Sequence, residues 1–77
     1  MSDTSTPPQP VTVREVPIEL CQFIKFGGLA DSGGAAKQLI SEGAVRVNGV
    51  VELQKRKQLG VGDRVTLHGQ TIVVRLA

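Results

Sequence analysis

Ala36-Lys37-Gln38-Leu39-Ile40-Ser41-Glu42-Gly43-Ala44-Val45-Arg46-Val47-Asn48-Gly49 changes its hydrophobic period part-way along. Ala36, Leu39 and Ile40 recur at three- and four-residue spacing, the inward face of a helix running from about Gly33 to Glu42. Gly43 stops that helix, and from Val45 the period is two, with Val45 and Val47 on one face and Arg46 on the other. Asn48-Gly49 is a strong hairpin signal, since both residues tolerate the positive φ of a tight turn. Two registers are open. A two-residue turn pairs Val47 with Val50 and sets Glu52 on the apolar face, whereas a three-residue loop pairs Val47 with Val51 and Val45 with Leu53; the longer loop is favoured because it keeps the apolar set together.

Upstream, Asp31 or Ser32 offers a side-chain oxygen to cap this helix. A first helix is expected from near Pro17, with Glu19 in its opening turn, to Gly27-Gly28 after Lys25; Leu20, Phe23 and Ile24 form its apolar face. Residues 1–13 are polar, with Pro7, Pro8 and Pro10 among them, and are expected to form a disordered tail before a single domain over 14–77. Val11 and Val13 alternate with polar neighbours and would suit only a sheet edge, given Pro10 and Pro17. Downstream, Gly60-Val61-Gly62-Asp63 reads as a turn into a second hairpin. With Gly69-Gln70 as its loop, Leu67 pairs with Ile72 and Val65 with Val74, leaving Arg64, Thr66, Thr71 and Val73 on the other face. The expected class is α+β, a helix-loop-helix unit packed on a small, mainly antiparallel sheet of two hairpins.

Composition narrows the function. At 77 residues the chain has room for one small core, burying about 60% of its unfolded surface. Its only aromatics are Phe23 and Phe26, which leaves no aromatic platform for stacking bases. One cysteine makes no intrachain disulfide, and Cys21 with His68 falls short of a structural zinc site. No signal peptide or membrane span is apparent, so a cytoplasmic location is expected. Charge is lopsided: residues 1–31 carry two basic and four acidic residues, a net −2, while 32–77 carry seven basic and three acidic, a net +4. That asymmetry suggests an anionic partner.

No nucleophile with a base, no carboxylate pair and no metal-ligand cluster converges, so neither an enzyme nor a cofactor is expected. Cys21, between Leu20 and Ile24, reads as a small buried hydrophobe, and His68 as a solvent-facing turn residue. Gly60-Val61-Gly62 lacks the third glycine and following helix of a dinucleotide fingerprint, and no Gly-Lys-Ser or Gly-Lys-Thr is present. Gly33-Gly34 is more informative. These residues leave the second helix's first N–H groups unshielded, with Lys37 one turn on, an arrangement that favours a phosphate; close helix packing is the competing explanation. Lys55-Arg56-Lys57 brings three adjacent cations, and Arg46 points away from the core just upstream. If they share a face, Lys37, Arg46, Lys55, Arg56 and Lys57 form a patch.

The wording of Ala36 to Ile40, of Glu42 to Gly49 and of Gly62-Asp63-Arg64-Val65 resembles the ribosomal protein S-four RNA-binding domain family, from about Pro17 to Leu67. Ser32-Gly33, Ala36-Lys37 and Arg56-Lys57 are similar to its small stand-alone bacterial members. The resemblance implies a helix-loop-helix and hairpin, the alpha-L motif, whose second-helix start and following loop lie against structured RNA, ribosomal or transfer, with ribosome association among its roles. Many members place arginines where this chain has Gly33 and Gly34, so the implied contacts there are backbone amides rather than guanidinium forks.

The expected function is therefore a non-enzymatic RNA-binding module, monomeric, that reads backbone shape through Gly33, Gly34, Lys37, Arg46, Lys55, Arg56 and Lys57. A protein-interaction or assembly subunit using the basic loop and a sheet edge is the alternative. A thiol enzyme using Cys21 is the third.

Overall fold

In the computed structural model, residues 7–77 are described. Seven strands and two helices run β1 (Gln9–Val13), β2 (Ile18–Glu19), α1 (Leu20–Phe26), α2 (Gly33–Ser41), β3 (Val45–Val47), β4 (Val50–Val51), β5 (Gln58–Leu59), β6 (Arg64–Leu67) and β7 (Gln70–Leu76). Five strands form one sheet in the order β1-β7-β6-β3-β4, and β2 pairs with β5 in a second. The class is α+β, as expected, with a helix-loop-helix against the large sheet.

Both helices end the same way. Leu29 N–H donates to Ile24 O and Gly28 N–H to Lys25 O, and Ala44 N–H and Gly43 N–H repeat the pattern onto Leu39 O and Ile40 O. Gly28 and Gly43 sit at φ +78° and +80°, the left-handed geometry that such a closure demands and that a side chain resists. Ser32 Oγ accepts from Ala35 N–H at 3.1 Å and caps α2. Between helices and sheet, Leu20, Phe23, Ile24, Ile40, Val45, Leu59, Val65 and Val74 are wholly enclosed, each large side chain contributing about 1.5–3 kcal/mol of transfer free energy.

Several expectations are corrected. The first helix begins at Leu20 rather than Pro17, because Ile18 and Glu19 are extended and pair with Leu59 and Gln58. The tail expected over 1–13 gives way at Gln9 to an edge strand, β1, parallel to β7 with Val11 beside Val74. The sheet is thereby mixed rather than wholly hairpin-built. Of the rest of that tail, Pro7 and Pro8 are exposed and outside any helix or strand, and residues 1–6 lie outside the described residues.

Both hairpin registers differ as well. β3 and β4 pair Val47 with Val50 and Arg46 with Val51, so the turn is the two-residue Asn48-Gly49. Asn48 and Gly49 have φ of 52° and 86°, and Asn48 is pinned from outside the hairpin. Its Nδ2 donates to Asp63 Oδ1 at 3.2 Å and its Oδ1 accepts from Arg64 N–H at 3.0 Å. No burial opposes this choice, because Val51 and Leu53 are 45% and 62% exposed. In the second hairpin the turn is His68-Gly69, φ 51° and 80°, so Leu67 pairs with Gln70 and Val65 with Ile72. The slip of two residues keeps every face as expected: Val65, Leu67, Ile72 and Val74 are buried, Arg64 exposed.

Candidate functional site

The Lys55-Arg56-Lys57 run is a turn fastened to α1. A helix leaves its first N–H groups without intrahelical partners, and here Leu20 N–H donates to Lys57 O at 2.8 Å while Cys21 N–H donates to Lys55 O at 3.1 Å. Lys57 N–H closes the turn onto Gln54 O. The backbone of the cationic run is thus occupied by structure, and its three side chains are exposed.

Two shallow grooves flank this turn. The larger, of about 620 Å³, lies between α2 and the turn and is lined by Lys37, Gln38, Ser41, Leu53, Gln54, Lys55 and Arg56. The smaller, of about 230 Å³, lies between the helices and is lined by Glu19, Cys21, Gln22, Lys25, Gly33, Lys37 and Arg56. Lys37 and Arg56 line both and so stand on the ridge between them. In the larger groove, Ser41 Oγ donates to Gln38 O and Gln38 Nε2 donates to Glu42 Oε2, which holds the polar flank of α2 in place.

The expected residues therefore divide. Lys37, Lys55 and Arg56 come together in the larger groove, and Gly33, Lys37 and Arg56 in the smaller; Gly34 follows Gly33 in the first turn of α2 and is exposed. Lys57 lines neither groove. Arg46 does not join them: Val45 and Val47 face the helices, and the pleat turns Arg46 to the opposite side of the sheet. The single patch drawn from the sequence is two surfaces. Lys25, in the last turn of α1, is an addition; it reads from sequence only as a helix-end cation.

The glycines at the start of α2 are not there for packing. A Cβ at Gly33 would meet no heavy atom within 4 Å, and one at Gly34 only Ser32 Oγ at 3.9 Å. What the glycines do provide is open approach to first-turn N–H groups, beside three cations. Glu19, in the smaller groove, opposes an anion there, which leaves the α2 side of the ridge the more favourable seat. Among the described residues no cluster of His, Cys, Asp and Glu could hold a metal. Cys21 is buried, 4.0 Å by its Sγ from Glu19 Oε1. His68 is exposed on its turn, and among the described residues no helix is long and apolar enough to cross a membrane. Phe26 departs from expectation: it is 63% exposed, so one aromatic ring does reach the surface.

Comparison with known proteins agrees with this architecture. The profile of the S4 domain matches residues 11–75. "Putative RNA-binding protein YbcJ" of Escherichia coli (strain K12) is 40% identical over 57 residues, 74% of this chain and 81% of that protein. "Probable ribosome maturation protein RlbA" of Bacillus subtilis (strain 168) is 37% identical over 60 residues, 78% of this chain and 84% of that protein. The solution structure of YbcJ from E. coli, described as revealing an ALFAL motif involved in RNA-binding, superposes with a TM-score of 0.68 at 33% identity, covering 100% of this chain and 98% of that one. With the profile reaching from the first strand into the last and the same fold in a solved relative, the chain belongs to the S4 domain family.

Proposed function

We propose that this protein is a non-enzymatic RNA-binding module that holds phosphates of a folded RNA in the groove between α2 and the Lys55–Lys57 turn. The observation that carries the reading is the convergence of Lys37, Lys55 and Arg56 in one open groove, across the Lys37–Arg56 ridge from an α2 start whose glycines leave the first N–H groups open. The helix dipole and free donors favour an anion at that point, and the lysine and arginine side chains supply charge on either side. Lys57, on the same turn, extends the field without lining the groove. Catalysis is no part of the reading, and Cys21 is enclosed.

Names borne by the relatives support the same class: an RNA-binding protein in E. coli and a ribosome maturation protein in B. subtilis. Ribosomal RNA, met during ribosome maturation, is accordingly the first target to test, with transfer RNA second. Phosphates and shape rather than base identity are read, since the groove offers cations and polar side chains but no aromatic ring.

The test is a fluorescence-polarisation titration against a ribosomal RNA fragment, a folded transfer RNA and a matched single strand at several salt concentrations. With about three to five phosphates held, the log–log salt slope is expected near −2 to −4. Lys37→Glu, Lys55→Glu and Arg56→Glu combined should abolish the preference for folded RNA. Equal, weak binding to all three RNAs, or a variant that binds like the parent, would refute the groove as the site. Absence of RNA binding at low salt would favour the protein-partner alternative.

A further inference from the structure

The sheet face turned away from the helices carries three arginines that the groove does not use. Arg46 on β3, Arg64 on β6 and Arg75 on β7 are all exposed. Their positions follow from the pairing: Arg46 stands opposite Thr66, Arg64 opposite Val73, and Arg75 opposite Thr12. Each step from one arginine to the next is therefore one strand across and two residues along, a diagonal over the middle three strands. Diagonal neighbours on a sheet are about 7–8 Å apart. The guanidinium groups thus form a ridge rather than a scatter, and their cross-strand partners are Thr and Val, with no carboxylate in register among the described residues to neutralise them.

The chemistry beside the ridge fits a phosphate chain better than a protein surface. Thr66 and Thr71 lie on the same face, their hydroxyls 2.9 Å apart, and hydroxyls flanking arginines are ordinary phosphate partners. A protein-binding patch would centre on desolvated aromatic or aliphatic anchors, whereas the middle of this face is half-buried Thr and Val between charged side chains. Guanidinium forks also suit phosphate oxygens in a bidentate geometry that lysine cannot reproduce.

We infer that this face is a second RNA-backbone surface, so that one small domain grips two backbone segments, one in the helix groove and one across the sheet. The inference rests on the groove reading for the first segment, and its test separates the two. A biotinylated RNA hairpin is immobilised, the full-length protein is added, and retention of a second, fluorescent hairpin is measured, alongside salt titrations of binding to a single hairpin. Three proteins are compared: the parent, a sheet variant (Arg46→Gln, Arg64→Gln, Arg75→Gln) and a groove variant (Lys37→Gln, Lys55→Gln, Arg56→Gln), each checked for an unchanged thermal melt.

The parent should tether the second hairpin. The sheet variant should still bind the first hairpin, with the salt slope of about −2 to −4 that belongs to the groove alone, but lose the tethering. Failure of the parent to tether, or tethering by the sheet variant equal to the parent's, would overturn the second surface. A groove variant that binds a single hairpin as tightly as the parent would instead overturn the groove. Displacement of the tethered hairpin by polyglutamate at equal charge concentration would mark the face as one for acidic protein and overturn the RNA assignment.

Discussion

Replacing Gly33 and Gly34 together by alanine should raise stability and lower RNA affinity, two changes of opposite sign from one pair of methyl groups. Neither glycine has a positive φ, and added Cβ atoms meet open space or Ser32 Oγ at 3.9 Å. Glycine to alanine at such compatible positions stabilises by about 0.4–1 kcal/mol each, largely by restricting the unfolded chain, so about 1–2 kcal/mol for the pair. For a domain of this size that is a rise of about 4–8 °C in Tm per kcal/mol, read from a circular-dichroism melt. Binding moves the other way because Cβ bonds of a helix tilt toward its N-terminus. The new methyls project into the space where a phosphate would meet the N–H groups of the first turn. Losing one hydrogen bond to a charged acceptor costs about 1.5–3 kcal/mol, an increase in Kd of about 10- to 100-fold. A raised Tm with unchanged Kd would refute the amide seat while leaving the cations in place. A lowered Tm would refute the account of the glycines as free of packing constraint.

Asn48→Ala should cost about 1.5–3 kcal/mol, since it forfeits the bonds to Asp63 and Arg64 and places alanine at φ 52°; Asn48→Gly, which relieves only the backbone term, should cost less in a urea melt. Gly27→Ala should destabilise by no more than about 1 kcal/mol, because the one tight approach of its Cβ, 2.7 Å, is to the far end of the Ile72 side chain, Cδ1, which can swing aside; a loss of several kcal/mol in a urea melt would show that Ile72 is held fast. Thr66→Val and Thr71→Val should each cost about 0.5–1 kcal/mol singly by orphaning a hydroxyl, and little more together, so a double-mutant cycle should show coupling across the 2.9 Å contact.

Helix ends and sheet faces were legible because each follows from a local rule. Gly28 and Gly43 supply positive φ where a helix must close, and the alternation of Val45, Arg46 and Val47 assigns faces without knowledge of the partner strand. Register was less legible, for a physical reason. A slip of two residues leaves every side chain on its own face, so burial does not distinguish Val65 beside Val74 from Val65 beside Ile72. In the first hairpin the apolar character of Val51 and Leu53 misled, since β4 is only two residues long and both side chains remain exposed. Its register was set from outside, by Asp63 and Arg64 on Asn48, a contact 15–16 residues distant in sequence. The pairing of β1 with β7 was illegible in the same way, because nothing local to Val11-Thr12-Val13 names a parallel partner at the far end of the chain.

The candidate site followed the same division between local and distant. The cationic run was visible as residues, but its anchoring by the N–H groups of Leu20 and Cys21 was not, and it is that anchoring which turns Lys55 and Arg56 toward Lys37. Arg46 illustrates the converse. Its outward orientation was correctly read from the alternation, yet the helices occupy the side that Val45 and Val47 face, so the rule that exposes Arg46 also removes it from α2. A groove built on α2 must therefore draw its other cations from a loop beyond the sheet's edge rather than from the strands beneath. The strand arginines belong by the same geometry to the opposite face, which is why charge in this sequence, compact along the chain, resolves into two surfaces separated by one hydrophobic layer.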